Sequence, residues 1–255
     1  MIDIHCHILP GIDDGSPHLQ ESISMAKDAV RSGIHTMVAT PHHRLRHYEN
    51  SREKVLQRVE DFNRRLFNED VNLTVLPGQE TRIYGDMLEG VYEKELLTLN
   101  DGDKYLFVEL PGEQIPTYTS QLLYNVLQSG ITPIVVHPER NSAIRAKPNW
   151  LYDIVNSGVA TQLTAGSLTG EFGKATKQFA NSLIEHELVH FIASDTHGMK
   201  RRKNRLQQAY KQIQGDFGDE TVLFFQENAE LAVAHQHIMM NEPSRIKKKK
   251  VFGLF

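Results

Sequence analysis

Two histidines separated by one residue stand in the first apolar segment of the chain. His5 and His7 form an H-x-H pair, and side chains at positions i and i+2 of a β-strand face the same side. Both imidazoles can therefore reach one metal ion. Near the other end of the sequence, Asp195 and His197 repeat this spacing as D-x-H. A lone pair of this kind supports a metal site weakly, so the residues between the two pairs decide the interpretation.

Further histidines and carboxylates follow the predicted strands between these pairs. Asp13 and Asp14 come in the first loop, and His42 and His43 follow the second strand. Later strands add three more candidates, which are Glu80, Glu109 and His137. Imidazole together with carboxylate suits Zn, Mn or Fe, and several carboxylates allow bridging between two or three ions. The ordered series predicts a metal centre.

Some of these residues also have less specific explanations. Aspartates at strand ends often cap the next helix, which is an alternative for Asp13 or Asp14 and for Asp195. His43 is expected to neighbour the site without binding a metal. The histidines expected to be exposed or satisfied by ordinary hydrogen bonds are His18, His35, His186, His190, His235 and His237.

Arginines follow two of the candidate ligands. Arg140 belongs to H-P-E-R-N, and Arg201 and Arg202 belong to G-M-K-R-R after the D-x-H pair. Guanidinium groups bind phosphate oxygens in a bidentate way, so metal ligands and arginines at one site predict phosphate-ester chemistry. The alternatives are an ion pair between Arg140 and Glu139, and a solvated basic face at residues 200–203.

These side chains must be positioned by strands, and seven segments rich in Val, Ile, Thr and aromatic residues have strand character. The predicted strands cover residues 2–5, 36–40, 73–77, 105–110, 131–137, 159–164 and 189–194. Leu19, Ile23, Ala26 and Val30 share one helix face, and Gly33 is expected to end that helix. Further helices are predicted near residues 55–66, 117–129, 148–157, 175–187, 203–214 and 228–239.

Alternation of strands and helices predicts parallel strands joined by crossover helices. Seven strands in 255 residues favour an irregular α/β barrel over an open sheet, and barrel active sites gather at the carboxyl ends of the strands. Every predicted strand except 159–164 delivers a metal-ligand type at that end.

Composition excludes several other classes. Apolar residues make up 40% of the chain and charged residues 24%, and the net charge of −4 leaves no broad basic surface for nucleic acid. The single cysteine, Cys6, cannot form an internal disulfide, which fits a cytoplasmic location. We expect no signal peptide and no membrane-spanning segment, because no apolar run reaches 18 residues.

Several motifs together resemble the polymerase and histidinol phosphatase (PHP) superfamily, and most closely its bacterial tyrosine-protein phosphatases encoded with capsular or exopolysaccharide genes. The motifs are MIDIHCHILPGIDDG, ATPHH, VLPGQE, VHPER and ASDTHG. The resemblance implies a distorted (β/α)7 barrel over residues 1–240, followed by a basic tail at 241–255. It also implies manganese as the metal and a bacterial tyrosine autokinase as the protein substrate.

The resemblance further implies how the ligands divide among three ions. The implied sets are His5, His7, Glu80 and Asp195 for one ion, Glu80, Glu109 and His137 for a second, and Asp14, His42 and His197 for the third. Arg140 and Arg202 would hold the phosphoryl group, with Arg201 as the alternative to Arg202.

Four functions stay open at this point. They are a phosphotyrosine-protein phosphatase, a histidinol-phosphate type of small-molecule phosphatase, a nuclease or proofreading domain, and a non-catalytic regulator of a kinase. Attack by metal-activated water is expected, because Ile12 stands where the C-x5-R motif of cysteine phosphatases would place arginine. The lysine run at 247–250 is expected to be a solvated terminus, with weak contact to anionic lipid as the alternative.

Overall fold

A computed structural model describes residues 1–247. The strands in this part are β1 Ile2–Cys6, β2 Thr36–Ala39, β3 His42–His43, β4 Thr74–Pro77, β5 Glu80–Arg82, β6 Tyr105–Glu109, β7 Thr132–Val136, β8 Ala160–Thr164 and β9 Phe191–Ala193. All seven predicted strand segments are confirmed. The short strands β3 and β5 were not predicted, because two or three residues carry too little periodicity to indicate a strand.

Helices of very different length connect the strands. Their bounds are α1 Leu19–Arg31, α2 Arg52–Asn68, α3 Met87–Tyr92, α4 Thr119–Gln128, α5 Ser142–Ala146, α6 Pro148–Asn156, α7 Ala165–Thr169, α8 Lys174–Glu185, α9 Leu206–Phe217 and α10 Asp219–Val233. Helix α1 begins after His18, whose Nδ1 accepts the backbone N–H of Glu21 at 3.2 Å. It ends before Gly33, which has a φ of +80° as expected.

The last predicted helix, at 228–239, is placed wrongly by the sequence. Helix α10 begins at Asp219, directly after Gly218, and ends at Val233. Two acidic residues in its first turn favour that start, since negative charge stabilises the amino end of a helix. His235 has a φ of +57°, a left-handed conformation that does not continue a helix.

All strand pairs are parallel, in two sheets with the orders β1-β2-β4 and β3-β5-β6-β7-β8-β9. Strand β2 leads into β3 across Thr40 and Pro41, and β4 leads into β5 across Gly78 and Gln79. Each of these two pairs therefore occupies one strand position that is broken in the middle. Counted in this way, the two sheets supply seven successive positions.

Backbone hydrogen bonds also join the first strand to the segment that follows the last one. Cys6 forms a parallel bridge with Thr196. The backbone N–H of His7 donates to Thr196 at 3.0 Å, and that of Asp195 donates to His5 at 2.9 Å. The seven positions therefore form a distorted ring, and the predicted α/β barrel fold is confirmed.

Two separate hydrophobic clusters fill this ring and surround it. The inner cluster contains residues from inside the strands, including Ile4, Phe107 and Phe191, and it is closed by Ala229 and Ala232 of α10. The outer cluster packs the helices against the outer faces of the strands. The inner apolar side chains fill the ring away from the carboxyl ends of the strands. Polar side chains occupy the end of the ring where the strands finish.

The chain after α10 packs back against the barrel as far as it is described. The backbone N–H of Ser244 donates to His186 at 2.9 Å, and the Arg245 guanidinium binds Asp153 at 2.8 Å. Residues 248–255, with most of the predicted lysine run, lie outside the described residues. Among residues 1–247, no helix has both the length and the apolar character needed to cross a bilayer.

His190 is a buried histidine satisfied by hydrogen bonds, as predicted. Its Nδ1 accepts the backbone N–H of Thr161 at 3.0 Å, and its backbone carbonyl accepts the side-chain amide of Asn228 at 3.1 Å. Burial lowers the pKa of His190 to about 4. The folded protein therefore holds this imidazole neutral at pH values where an exposed imidazole, with a pKa of about 6.5, takes up a proton.

This difference predicts a stability that depends on pH. Between pH 6.5 and 4 the unfolded chain binds a proton that the folded chain refuses, so the free energy of unfolding should fall by up to about 3 kcal/mol. The variant His190→Asn keeps an acceptor for Thr161 but does not titrate, so its loss should be smaller by that amount. Urea unfolding of both proteins at neutral and acidic pH measures the difference; parallel losses would contradict it.

Candidate metal centre

The predicted ligands lie at the carboxyl ends of the strands, as the barrel topology requires. His5 lies in β1, His7 follows it directly, and His42 lies in β3. Glu80 begins β5 and Glu109 ends β6. The remaining predicted ligands follow β7 or β9 or lie in the loop after β1, and they are His137, Asp195, His197 and Asp14.

Glu80 lies at the centre of the cluster and contacts four imidazoles. Its Oε2 is 2.9 Å from His42 Nδ1, 3.3 Å from His7 Nε2 and 3.4 Å from His5 Nε2. Its Oε1 is 2.7 Å from His137 Nε2. A carboxylate whose two oxygens face different imidazoles has the geometry needed to bridge two ions.

Asp14 joins a second part of the cluster at the solvent side. Its Oδ1 lies 3.4 Å from both His42 Nε2 and His197 Nε2. About half of the Asp14 side chain is exposed, whereas the two histidines are buried. This side of the cluster is therefore the side that substrate can approach.

Three overlapping groups of ligand atoms lie close enough to share a metal ion. Within each group the atoms are all within 4.8 Å of one another. The groups are His7, Asp14, His42 and His197; His5, His7 and Glu80; and His42, Glu80 and Glu109. They overlap the three sets implied by the family resemblance, but they differ in two ways. His7 joins the set of Asp14, and His42 joins that of Glu109, whereas Asp195 and His137 fall in none of the three groups.

One observation in particular indicates that these residues can hold divalent cations. Four polar atoms of the predicted ligands are buried and, among residues 1–247, have charged neighbours but no well-directed hydrogen bond; they are His42 Nδ1, Glu80 Oε2, Glu109 Oε2 and Asp195 Oδ1. A buried carboxylate oxygen without a well-directed hydrogen bond is costly. Cations coordinated by imidazole and carboxylate would satisfy these atoms, so the donor set suits a metal centre.

Neighbouring charges shift the acidity of the carboxylates strongly. Burial alone would raise the pKa of Glu80, but positive charge on His42 and other histidines holds it well below its usual value. Burial and the adjacent charge of Glu80 raise the pKa of Glu109 to about 7. Two carboxylates this close repel each other when both are ionised. Positive charge bound between them would reduce this repulsion.

Two of the histidines are held in the neutral form that binds metals. Burial, together with the charge of Arg140, lowers the pKa of His137 to about 4. Burial and the charge of His7 lower the pKa of His197 to about 4. Neither imidazole has to lose a proton before it can coordinate an ion at neutral pH.

Asp195 couples the ligand cluster to the two arginines. Its Oδ1 lies 3.4 Å from His7 Nε2 and 3.7 Å from His5 Nε2. Its Oδ2 accepts hydrogen bonds from Arg140, at 2.5 Å, and from Arg202. Although burial would raise the pKa of Asp195, Arg202 and Arg140 hold it well below its usual value.

The structure shows which side chains the arginines of the two motifs contact. Arg140 pairs with Asp195, whereas the Glu139 carboxylate accepts hydrogen bonds from the backbone of Thr164 and the hydroxyl of Ser167. Arg202 also reaches His197, with 2.8 Å between Arg202 Nη1 and His197 Nε2. Arg201 makes no such contact with the cluster in the described residues.

Three residues of the site have left-handed backbone conformations. The φ angles are +37° for His137, +52° for Asp195 and +46° for Arg202. Such angles are uncommon for residues other than glycine and often accompany functional sites. His137 and Asp195 have these angles just after β7 and β9 end, and Arg202 has one in the turn that follows.

Two residues that orient the ligands were not predicted in that role. Asp13 Oδ2 binds His7 Nδ1 at 2.7 Å and accepts the backbone N–H of His42 at 3.2 Å. Asp13 therefore orients a ligand and caps no helix. Gln162 Oε1 lies 3.0 Å from His5 Nδ1. The sequence could have indicated Gln162 only through a polar amide inside the predicted strand 159–164, the one strand without a metal-ligand type.

Two other residues near the cluster stand outside it. His43 Nδ1 accepts the backbone N–H of Asn50 at 3.1 Å, and His43 belongs to none of the three ligand groups. Cys6 is fully buried in the outer cluster and its thiol donates to Val38 at 3.2 Å. Burial raises the pKa of this thiol well above its usual value, so Cys6 is unsuited to act as a thiolate nucleophile.

The fold and the cluster together define an α/β barrel with a candidate centre for several metal ions at its mouth. The family model described as capsular polysaccharide synthesis, CpsB/CapC, matches residues 1–233, and the chain belongs to this family. The resemblance to capsule-type bacterial tyrosine phosphatases drawn from the motifs is therefore confirmed.

Individual relatives match over the whole chain. Tyrosine-protein phosphatase YwqE of Bacillus subtilis is 46% identical, and the putative tyrosine-protein phosphatase CapC of Staphylococcus aureus is 36% identical, both over 100% of each chain. A solved structure from work on YwqE and Streptococcus pneumoniae CpsB, described as unique metal-dependent tyrosine phosphatases, has a TM-score of 0.95 at 45% identity. It covers 97% of this chain and 100% of its own.

A more distant likeness concerns the fold alone. The organophosphorus hydrolase of Deinococcus radiodurans superposes with a TM-score of 0.57 at 12% identity, and the match covers 91% of each chain.

The contact between Asp13 and His7 yields a prediction about metal affinity. Asp13→Asn removes the charge that orients His7 while keeping the size of the side chain, and loss of such a partner lowers metal affinity about 10- to 100-fold. The matched control is Asp61→Asn, which neutralises a half-exposed carboxylate of α2. Competition with a chelator measures both affinities, and equal affinity in the two variants would show that Asp13 has no orienting role.

Proposed function

We propose that this chain is a metal-dependent protein-tyrosine phosphatase. The observation that carries the proposal is the cluster of imidazoles and carboxylates around Glu80, with four buried ligand atoms that lack a well-directed hydrogen bond among residues 1–247, directly beside the arginine pair on Asp195. Metal ligands next to guanidinium groups suit a phosphate monoester. The names of the relatives, which are tyrosine-protein phosphatases, support phosphotyrosine as the substrate.

The proposed cofactor is Mn²⁺, as two or three ions, with Zn²⁺ or Fe as alternatives that use the same donor types. The proposed ligands are His5, His7, Asp14, His42, Glu80, Glu109, His137, Asp195 and His197. When bound, divalent ions of this kind supply Lewis acidity, which makes water a better nucleophile and neutralises charge on phosphate. The mixed donor set and the overlap of the three ligand groups support more than one ion.

The proposed role of Arg140 and Arg202 is to bind the phosphoryl oxygens. Asp195 holds the two guanidinium groups next to each other, which fixes their positions before the substrate arrives. Arg202 Nε is buried and has no hydrogen bond among residues 1–247. Two positive charges beside the transferred group stabilise the charge that spreads over its oxygens.

The leaving group supports a tyrosine ester over an alkyl ester. A phenol has a pKa of about 10, so its anion departs more easily than an alkoxide and depends less on a proton donor. The site contains buried carboxylates that serve as proposed ligands, and the sequence indicates no separate general acid. A site of this composition is adequate for an aryl phosphate.

The same proposal includes the protein partner and the location. The substrate is proposed to be a bacterial tyrosine autokinase that controls capsular or exopolysaccharide synthesis, in the cytoplasm. The family description, capsular polysaccharide synthesis, supports this context. Residues 1–240 are proposed to form the catalytic domain, and residues 241–255 are proposed to form a basic tail.

One prediction from the proposed function concerns the substrate and the metal together. Protein stripped of metal should be inactive, and added Mn²⁺ should restore phosphate release from a phosphotyrosine peptide and from an autophosphorylated tyrosine kinase. Histidinol phosphate should be hydrolysed poorly in the same assay, since it lacks an aryl leaving group. A preference for histidinol phosphate would move the function to small-molecule metabolism, and metal-loaded protein without activity on any substrate would favour a regulatory role.

Another prediction concerns the two arginines that contact Asp195. Arg140→Gln or Arg202→Gln should lower kcat for a phosphotyrosine peptide about 10²- to 10³-fold, the usual effect of removing one charge partner of the transition state. Arg202→Lys should recover part of this loss, because it restores the charge without the bidentate fork. Metal content is the control, since both arginines also hold Asp195. Normal kcat at normal metal content would remove these arginines from the mechanism.

A further inference from the structure

A cavity of about 290 Å³ lies beside the candidate metal centre, at the turn that follows β9. Its walls include Asp14 and His197, which also belong to one of the three ligand groups. The cavity is therefore continuous with the centre. Its volume approaches the lower range of pockets that bind small ligands, about 300 Å³, which is enough for a polar side chain of a bound peptide.

The turn from 197 to 202 builds this cavity and separates two neighbouring arginines. The backbone N–H of His197 donates to the carbonyl of Arg202 at 3.0 Å, so the turn closes on itself. Arg202 has a φ of +46° and directs its side chain to Asp195 and His197. Arg201 remains exposed, and it lines the cavity together with Lys200 and with part of Arg202.

In the described part of the chain, the acidic side chains around the cavity make polar contacts with the protein, whereas two of the basic ones do not. Asp14 lies against His42 and His197, and Glu21 accepts the backbone N–H of Met199 at 3.1 Å. Within residues 1–247, the side chains of Lys200 and Arg201 have no hydrogen bond or ion pair. Two exposed cations that form no ion pair within the described residues therefore line the same cavity.

We propose that Lys200 and Arg201 form an anion subsite that binds a second negative group of the protein substrate, a carboxylate or a second phosphate near the phosphotyrosine. This inference rests on the proposed phosphatase function and adds a determinant of peptide specificity. Because Asp14, His197 and Arg202 all line this cavity, a phosphoryl group held by Arg202 would place the flanking residues of its peptide next to Lys200 and Arg201. Exposed cations there attract acidic flanking residues and do not touch the reacting phosphate.

The experiment compares four substrates with the full-length, metal-loaded enzyme. They are p-nitrophenyl phosphate, a phosphotyrosine peptide with neutral flanking residues, the same peptide with acidic flanking residues, and the same peptide with a second phosphotyrosine. In Arg201→Gln, KM for the acidic or doubly phosphorylated peptide should rise about two- to fivefold, as for the loss of one exposed ion pair. The value of kcat should stay unchanged, and the rise should shrink at high ionic strength.

Lys203→Gln is the matched control, because it removes the same charge from an exposed position of the same segment that does not line the cavity. It should behave as the wild type with all four substrates. The acidic and the doubly phosphorylated peptide separate the two sources of the second anion, since the larger KM change identifies the preferred one.

Two results would overturn the inference while leaving the proposed function in place. One is an equal KM change for neutral and acidic peptides in Arg201→Gln, or equal behaviour of Arg201→Gln and Lys203→Gln. The other is a fall in kcat for p-nitrophenyl phosphate in Arg201→Gln, which would place Arg201 in the catalytic site. Absence of any hydrolysis of p-nitrophenyl phosphate by the metal-loaded wild type would contradict the proposed function itself, and the inference with it.

Discussion

Asp195 is the side chain on which the organisation of the site depends. One carboxylate oxygen faces the ligand histidines His5 and His7, and the other holds Arg140 and Arg202. An isolated buried carboxylate would be strongly destabilising, and the arginines stabilise its ionised form. The same contacts set the distance between the proposed metal side and the proposed phosphate side, so both depend on one ion-pair network.

The barrel explains why such a network can assemble at all. Parallel strands bring all their carboxyl ends to one mouth, so residues separated by almost 200 positions become neighbours. The inner hydrophobic cluster and α10 fill the opposite end, which confines polar side chains to the mouth. Breaks after β2 and β4 move His42 and Glu80 onto the short strands β3 and β5, which pair in register at these two residues.

The sequence predicted the parts of this structure that are local. Strand character, helix spacing and ligand types at strand ends can be recognised within short windows, and these predictions agree with the described fold. The orienting role of Asp13 and Gln162 depends on contacts with residues of other segments, and no local pattern indicates it. The start of α10 was missed because its apolar residues at 222–225 form a continuous run without helical periodicity.

The choice between Arg201 and Arg202 shows where sequence reasoning ends. Two adjacent arginines in a basic run are equivalent as chemistry, and either could bind phosphate. The left-handed backbone of Arg202 breaks this equivalence, because it directs one guanidinium to Asp195 and leaves the other at the surface. A change at the exposed arginine can therefore alter contacts with a partner without disturbing the network on Asp195. The turn thus places a proposed recognition residue next to a proposed catalytic residue in the sequence.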